Sequence, residues 1–177
     1  GLPGAALNIA YETVDRHACS DRADQLALRW LGRGGEVCDF SYRDLQRATN
    51  RFANLLTSLG VQSGERVFVL AGRIPELYIA VLGALKRGCV VAPLFSAFGP
   101  EPIRTRLSIG EGAVLVTTST LYVKKVAGIR AALPSLRHVL VVHDDPDLEL
   151  PGGTQELADG LARMSDEYQT ALTRPSD

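Results

Sequence analysis

The chain has 177 residues, of which 46% are hydrophobic and 22% charged, and its net charge at pH 7 is −1. This balance is typical of a globular protein and argues against a basic nucleic-acid binder or a polybasic membrane-binding surface. No charge-free stretch approaches the ~20 apolar residues of a membrane helix. The three cysteines are widely spaced and form no CxxC pair, which argues against a disulfide framework and fits a reducing cytosol. We therefore expect a cytoplasmic protein.

The first third of the chain predicts a helix, a β-hairpin and a second helix. Asn8 precedes the helical stretch IAYETVDRHAC, and the alternating runs QLALRWL and VCDFSY predict two strands joined by the glycine-containing turn GRGGE. The clearest helix is SYRDLQRATNRFANLLTSLG, whose apolar residues recur every three or four positions. Ser41 and Asp44 predict a capping box at its start, and Gly60 predicts its end.

Four runs that are rich in β-branched residues and nearly free of charge alternate with helical patterns over about the next 80 positions. The strands are predicted at 66–72, 89–95, 113–118 and 138–143, and the helices at 75–88, 100–109 and 119–133. Lys86 and Arg87 provide cations in the last turn of the first of these helices. Runs of this kind are typical of parallel strands covered on both faces. The pattern predicts an α/β fold, with a doubly wound, mostly parallel sheet flanked by helices and the hairpin at one edge or flank.

The alternation of strand and helix patterns ends after His143. Residues 1–143 are predicted to form the α/β subdomain, and residues 144–177 an acidic linker with one amphipathic helix in TQELADGLARMS. No further strand is predicted there, so the sheet is expected to be interrupted.

Ligands of open α/β sheets bind beyond the carboxyl ends of the strands. The sequence has no G-x-G-x-x-G fingerprint, no phosphate-binding P-loop and no G-x-S-x-G nucleophile motif. The turn after the second predicted parallel strand instead reads Phe95-Ser96-Ala97-Phe98-Gly99-Pro100, with small residues between two aromatic rings. Lys124 and Lys125 lie one turn into the helix that follows the third of these strands, where a lysine can meet an anionic ligand or simply face solvent.

Other polar residues favour structural roles. The stretch HDDPD after the last strand contains potential ligands for a hard cation, but further ligands are not evident, and an acidic loop is the simpler interpretation. His17 and His138 have no evident carboxylate or nucleophile partner. Arg104 and Arg106 are two residues apart on a helix and point to different faces. These residues alone indicate an α/β unit with a ligand site at the strand ends and no complete catalytic set.

Several segments together resemble a known family. NIAYETVDRHA, FSYRDLQRATNRFANLLTSLGVQSGERV, PELYIAVLGALKRGCVVAPLFSAFGPEPIRTRL, VLVTT and LPSLRHVLVV are similar to the N-terminal region of AMP-forming acyl-CoA synthetases of the adenylate-forming superfamily. The form LFSAFGPEPIRTRL, together with NIAYE, resembles the acetyl-CoA synthetase branch most.

This resemblance implies an enzyme that joins a carboxylate to coenzyme A through an acyl-adenylate, using ATP and Mg²⁺. It places Phe95, Ser96 and Ala97 near the nucleotide part of coenzyme A, and Lys124 and Lys125 near its phosphates. Some relatives have paired glycines in place of Ser96 and Ala97, and arginines close to the two lysines but in another register. The resemblance assigns no catalytic or metal-binding role to any residue of this sequence.

The resemblance also implies that the phosphate loop, the adenylate-binding segment and the catalytic lysine of the family lie outside this sequence. The chain is then the N-terminal fragment of a longer enzyme, inactive by itself, whose partners are its carboxylate substrate and the remainder of its own polypeptide. An unpaired sheet edge also predicts self-association. The alternatives are another adenylate-forming ligase, for a medium-chain or aryl acid, and a non-catalytic α/β module that binds a ligand or a partner.

Overall fold

The computed structural model describes residues 2, 6–150 and 152–174, which form two sheets and the helices packed around them. The strands are β1 Leu26–Leu31, β2 Val37–Ser41, β3 Arg66–Leu70, β4 Val90–Pro93, β5 Val114–Thr118, β6 His138–Val142 and β7 Gln155–Glu156. The helices are α1 Arg16–Ala18, α2 Tyr42–Ser58, α3 Pro75–Lys86, α4 Pro100–Ile109, α5 Ser119–Leu121 and α6 Leu157–Ala162. Two π-helical turns, Tyr11–Asp15 and Tyr122–Val126, and the 3₁₀ segment Ala127–Ala132 complete the helical structure.

The main sheet has five parallel strands in the order β4-β3-β5-β6-β7. Its central strand β5 is buried along its whole length. Alternate residues supply two separate cores: Val67, Val69 and Val116 pack with α2 and α3 on one face, and Leu70 and Leu115 pack with α4 on the other. A sheet with helices on both faces confirms the predicted doubly wound α/β fold.

The hairpin forms a separate antiparallel sheet of β1 and β2. Arg29 and Asp39 face each other across it and form a bidentate ion pair with two 2.7 Å contacts. The Trp30 indole N–H donates a 2.6 Å hydrogen bond to the carbonyl oxygen of Arg73. This bond fixes the hairpin against the loop that leaves β3, which places it on a flank of the main sheet, one of the two positions that were predicted.

Helix α2 begins and ends where the sequence predicts. The Asp44 amide donates to the Ser41 hydroxyl at 3.1 Å, and the Ser41 amide donates to the Asp44 carboxylate at 3.0 Å, which completes the capping box. At the other end Gly60 has φ of 73°, a left-handed conformation that favours glycine. The side chain of Asn8 likewise accepts a 3.0 Å hydrogen bond from the Ala10 amide at the start of the first helical segment.

Two predictions about local structure are wrong. The continuous helix predicted for residues 119–133 is divided into α5, the π-turn Tyr122–Val126 and a 3₁₀ segment. Tyr122 and Val126 are both buried in the second core. After His143 the chain also forms the short strand β7, which pairs in parallel with β6 before α6 begins.

A buried polar cluster connects segments that are distant in sequence. The Lys86 ammonium, with a fully buried side chain, forms an ion pair with Asp15 and donates a 2.6 Å hydrogen bond to the Asn50 side-chain oxygen. The Thr170 hydroxyl donates to the other Asp15 oxygen at 2.8 Å. Lys86 lies in the last turn of α3, as the sequence predicts, and its side chain points into the interior.

Candidate functional site

An open cleft of about 860 Å³ lies between the hairpin and the carboxyl ends of β3 and β4. This is the end of the sheet at which the sequence predicted a ligand site. The hairpin forms one wall, and the loops leaving β3 and β4 form the other. The lining residues are Trp30, Leu31, Gly32, Arg33, Ala71, Gly72, Arg73, Ile74, Leu77, Leu94, Phe95 and Ser96.

The turn after β4 presents an exposed aromatic ring to this cleft. The Phe95 side chain is 65% exposed, and its ring meets Phe98 edge to face at a centroid distance of 5.6 Å. The Phe98 ring packs inward against the second core, and the Arg106 guanidinium lies 4.3 Å above its centroid. The two aromatic residues of the turn therefore differ: Phe98 anchors it, while Phe95 is free to contact a ligand.

Lys125 is bound to the same turn through the main chain. Its ammonium donates to the carbonyl oxygens of Ser96 at 2.5 Å and Phe98 at 2.9 Å. The structure therefore brings Lys125 together with the predicted turn, but its hydrogen bonds hold the backbone in place. The Lys124 side chain is exposed, and within residues 2, 6–150 and 152–174 it forms no ion pair.

Two arginines in the cleft wall were not singled out by the sequence analysis. Arg33 lies in the hairpin turn, and Arg73 directly follows β3; both are exposed. Arg73 does occupy a predicted strand end, which was the available signal. Arg33 follows from no local pattern, because its place in the cleft depends on how the hairpin packs.

The acidic loop after β6 organises the neighbouring strand end. The Asp144 carboxylate accepts hydrogen bonds from the Ser119 hydroxyl at 2.7 Å and the Thr120 amide at 2.9 Å. Burial alone would raise the Asp144 pKa, but these hydrogen bonds outweigh it, so the pKa is lowered and the carboxylate form is favoured. His143 contacts the Leu148 carbonyl oxygen at 2.8 Å through Nε2. Within the described part of the chain, no three His, Cys, Asp or Glu side chains come together as a metal site.

The remaining titratable candidates have structural surroundings. The His17 ring lies 4.8 Å from the Tyr42 ring. Burial, with a smaller effect of Arg137, lowers the pKa of His138. Burial raises the pKa of the Cys89 thiol to about 11, which keeps it protonated and unreactive at neutral pH.

Comparison with known proteins shows extensive similarity. The profile of the AMP-binding enzyme family matches residues 15–175. The acetyl-coenzyme A synthetase of Bacillus subtilis (strain 168) is 39% identical over 137 residues, which cover 77% of this chain and 23% of that protein. That of Syntrophus aciditrophicus (strain SB) is 39% identical over 115 residues, covering 64% and 18%. The chain thus spans about a quarter or less of the length of these curated relatives.

Solved structures agree with the fold. A crystal structure of the Brucella canis acyl-CoA synthetase superposes with a TM-score of 0.87 at 28% identity, covering 100% of this chain and 31% of that protein. The anthranilate CoA ligase AuaEII, solved with anthranoyl-AMP, gives a TM-score of 0.83 at 23% identity, covering 99% and 31%, and supports the fold alone. Among the described residues no helix is long and apolar enough to cross a membrane. Because the family profile spans nearly all of the chain, the chain belongs to the AMP-binding enzyme family.

Proposed function

We propose that this chain serves as the N-terminal α/β part of an AMP-forming acyl-CoA synthetase for acetate or another short-chain acid. The observation that carries the proposal is the 39% identity to acetyl-coenzyme A synthetases over most of the chain. In the proposed reaction the carboxylate attacks the α-phosphorus of ATP and expels pyrophosphate. The thiol of coenzyme A then attacks the acyl carbon, loses its proton and displaces AMP.

The chain contributes mainly to the second step in this proposal. Phe95, Ser96 and Ala97 form the surface that the nucleotide end of coenzyme A contacts, because the Phe95 ring is exposed and the two small residues allow a close approach to the backbone. Lys125 positions this turn through its two hydrogen bonds, and its sequence neighbour Lys124 supplies an exposed cation. When bound, ATP and Mg²⁺ supply the leaving group and its charge neutralisation, and we assign none of the described residues to them.

We expect the 177-residue chain by itself to show no acetate-dependent ATP–pyrophosphate exchange. The reason is that the resemblance places the phosphate loop and the catalytic lysine of the family outside this sequence, and such exchange depends on groups that position and neutralise the phosphates. Exchange activity in the purified chain would contradict this part of the proposal.

A chimeric enzyme allows adenylation and thioester formation, the two half-reactions, to be measured separately. Residues 15–175 would replace the matching segment of the Bacillus subtilis acetyl-coenzyme A synthetase, and a second chimera would carry the Syntrophus aciditrophicus segment as a control for tolerance of such exchange. We expect both chimeras to catalyse acetate-dependent exchange and acetyl-CoA formation. A folded chimera with this chain that fails both reactions, while the control is active, would argue against the function and favour a non-catalytic module.

A substitution in the turn then tests its assignment. Phe95→Ala should raise KM for coenzyme A by about tenfold, the order of one lost aromatic stacking contact, and should leave ATP–pyrophosphate exchange unchanged. Ile109→Ala is the matched control, since this exposed apolar side chain lies at the far end of α4. An equal loss in both half-reactions would show that Phe95 acts on folding or on adenylation instead.

We also propose that the isolated chain self-associates. The paired hairpin residues Leu31 and Val37 are 67% and 60% exposed, and Val90 on the edge strand β4 is exposed as well. Exposed apolar residues on unpaired strand edges favour pairing with a second copy. Sedimentation velocity should show species larger than the 19.0 kDa monomer at high concentration, and a monomer throughout would rule this out.

A further inference from the structure

Residues 165–174, which follow the end of α6, form neither a helix nor a strand apart from a single bridge between Thr173 and Leu7. We call this segment the strap. Within the described part of the chain, none of its side chains belongs to either hydrophobic core. Among its ten residues only Thr170 is buried, at 7% exposed. The strap is therefore attached to the rest of the protein by polar contacts and not by buried apolar area.

Three asparagine side chains bind main-chain carbonyl oxygens of the strap. The Asn54 amide group donates to two of them and that of Asn50 to one, all at 2.8 Å, and the Asn8 amide group donates to a fourth at 3.1 Å. The contacts of Asn54 are exposed, so water can take the place of either partner. A hydrogen bond of this kind contributes little net free energy, because both groups are hydrogen-bonded to water when they separate.

Thr170 attaches the strap to the buried polar cluster. Its hydroxyl donates at 2.8 Å to one oxygen of the Asp15 carboxylate, whose other oxygen accepts from the Lys86 ammonium. A hydrogen bond to an ionised group is about twice as strong as one between neutral groups. Because it is also buried, this bond contributes more to holding the strap in place than the exposed contacts of Asn54.

We propose that the strap opens as one unit while the sheets and helices stay folded, and that the hydrogen bond from Thr170 to Asp15 controls how often it opens. Segments with few buried apolar contacts open at a lower free energy than the core does. When the strap opens, water can donate to the Asp15 oxygen that Thr170 leaves, which limits the cost of opening.

The position of the strap defines where this motion occurs. Thr173 lines the same 330 Å³ pocket as Val90, the first residue of β4. The strap therefore ends beside the amino end of β4, whereas the 860 Å³ cleft lies at the carboxyl ends of β3 and β4. The inference is a conformational device at the opposite end of the main sheet, and it does not rest on the proposed function.

Hydrogen exchange of the 177-residue chain measures this opening. Two strap amides report on it: that of Ala171 donates to the Lys86 carbonyl oxygen at 2.8 Å, and that of Thr173 to the Leu7 carbonyl oxygen at 3.2 Å. We expect both to exchange at least about tenfold faster than the amides of the buried strand β5. Their rates should increase little with urea below the unfolding transition, because opening the strap exposes little surface.

A core substitution separates strap opening from global unfolding. Ile103 on α4 is fully buried in the second core, and its packing is the same whether the strap is open or closed. Ile103→Val should therefore speed exchange of the β5 amides by about fivefold, as expected for one lost buried methyl group. It should leave the exchange of the Ala171 and Thr173 amides unchanged.

A second substitution tests the role of Thr170. Thr170→Val keeps the shape of the side chain and removes the hydroxyl, and it should speed exchange of the two strap amides by about tenfold, the effect of one hydrogen bond to a charged group. Thr105→Val, on the exposed face of α4, is the matched control and should leave these rates unchanged. Strap amides that exchange at the β5 rate and respond to Ile103→Val as β5 does would overturn the inference, as would unchanged strap exchange in Thr170→Val.

Discussion

Replacing Lys86 with methionine should destabilise the protein more than any substitution of an exposed lysine. The Lys86 side chain is fully buried, and the side chain of its partner Asp15 is 8% exposed. Methionine fills a similar volume but removes the cation. The Asp15 carboxylate would then remain buried, with the Thr170 hydroxyl as its hydrogen-bond donor.

The expected loss is about 3–5 kcal/mol in the free energy of unfolding, which is typical when one partner of a buried ion pair is removed. Native domains are stable by only about 5–15 kcal/mol, so this change approaches the limit of folding. Burial lowers the pKa of Lys86, and the nearby Asp15 carboxylate opposes this effect. This competition shows that the pair is held against a desolvation penalty.

Urea unfolding followed by far-UV circular dichroism measures the loss, with Lys124→Met as the matched control. Lys124 is exposed, so its substitution should change stability by less than about 0.5 kcal/mol. The double variant Asp15→Asn with Lys86→Met should recover much of the loss, because no uncompensated charge remains. If Lys86→Met alone costs less than about 1 kcal/mol, or the double variant is as unstable as the sum of the singles, the reasoning is refuted.

Three further predictions concern pH and packing. Arg137 lowers the folded-state pKa of Glu65 through a bidentate contact. Arg137→Met should cost about 0.5–1 kcal/mol at pH 7. Urea titrations should show this cost shrinking as the pH falls below 4.5, where Glu65 of the unfolded chain becomes protonated first, and vanishing once the pH is also below the lower folded-state pKa. The folded-state pKa of His138 lies below 6.5, so the unfolded state binds the proton first and stability falls as the pH decreases from 6.5. In thermal melts, His138→Gln should reduce this dependence of the melting temperature on pH. A Cβ on Gly83 would lie 2.8 Å from the Phe52 side chain. Gly83→Ala should therefore lower the urea midpoint by the equivalent of about 1–3 kcal/mol, although alanine favours the helix. Gly128→Ala is the control, because a Cβ there meets no atom within 4 Å.

Local chemistry was sufficient to predict most of the scaffold. The capping box of Ser41 and Asp44, together with Gly60, set both ends of α2 through contacts between residues close in sequence. The parallel sheet followed from continuous apolar runs, because a strand buried on both faces has no polar side to alternate with. The two-residue strand β7 gave no such pattern, since Gln155 and Glu156 are polar residues and pair with β6 over only two positions.

Lys86 shows what local patterns do not contain. A lysine in the last turn of a helix ordinarily faces solvent and interacts favourably with the helix dipole. Its partners Asp15 and Asn50 lie 71 and 36 residues away in sequence. The burial of Lys86 therefore depends on tertiary packing of the first helical segment and α2 around α3, which no window of neighbouring residues predicts.

The helix predicted for residues 119–133 failed for a related reason. Tyr122 and Val126 enter the second core, and the Lys125 ammonium reaches the turn after β4, 29 residues away in sequence. The local pattern does not contain these tertiary contacts. Helix propensity is weak compared with such packing.

The same contrast distinguishes the cations at the candidate site. Lys125 was predicted as a phosphate ligand, and its ammonium donates two of its three N–H groups to main-chain carbonyls, which leaves one for a ligand. Within the described part of the chain Arg33 and Arg73 line the open cleft without an ion pair, and the indole of Trp30 joins their two walls by donating to the Arg73 carbonyl. Which cations line the cleft therefore depends on the docking of the hairpin against the β3–α3 loop.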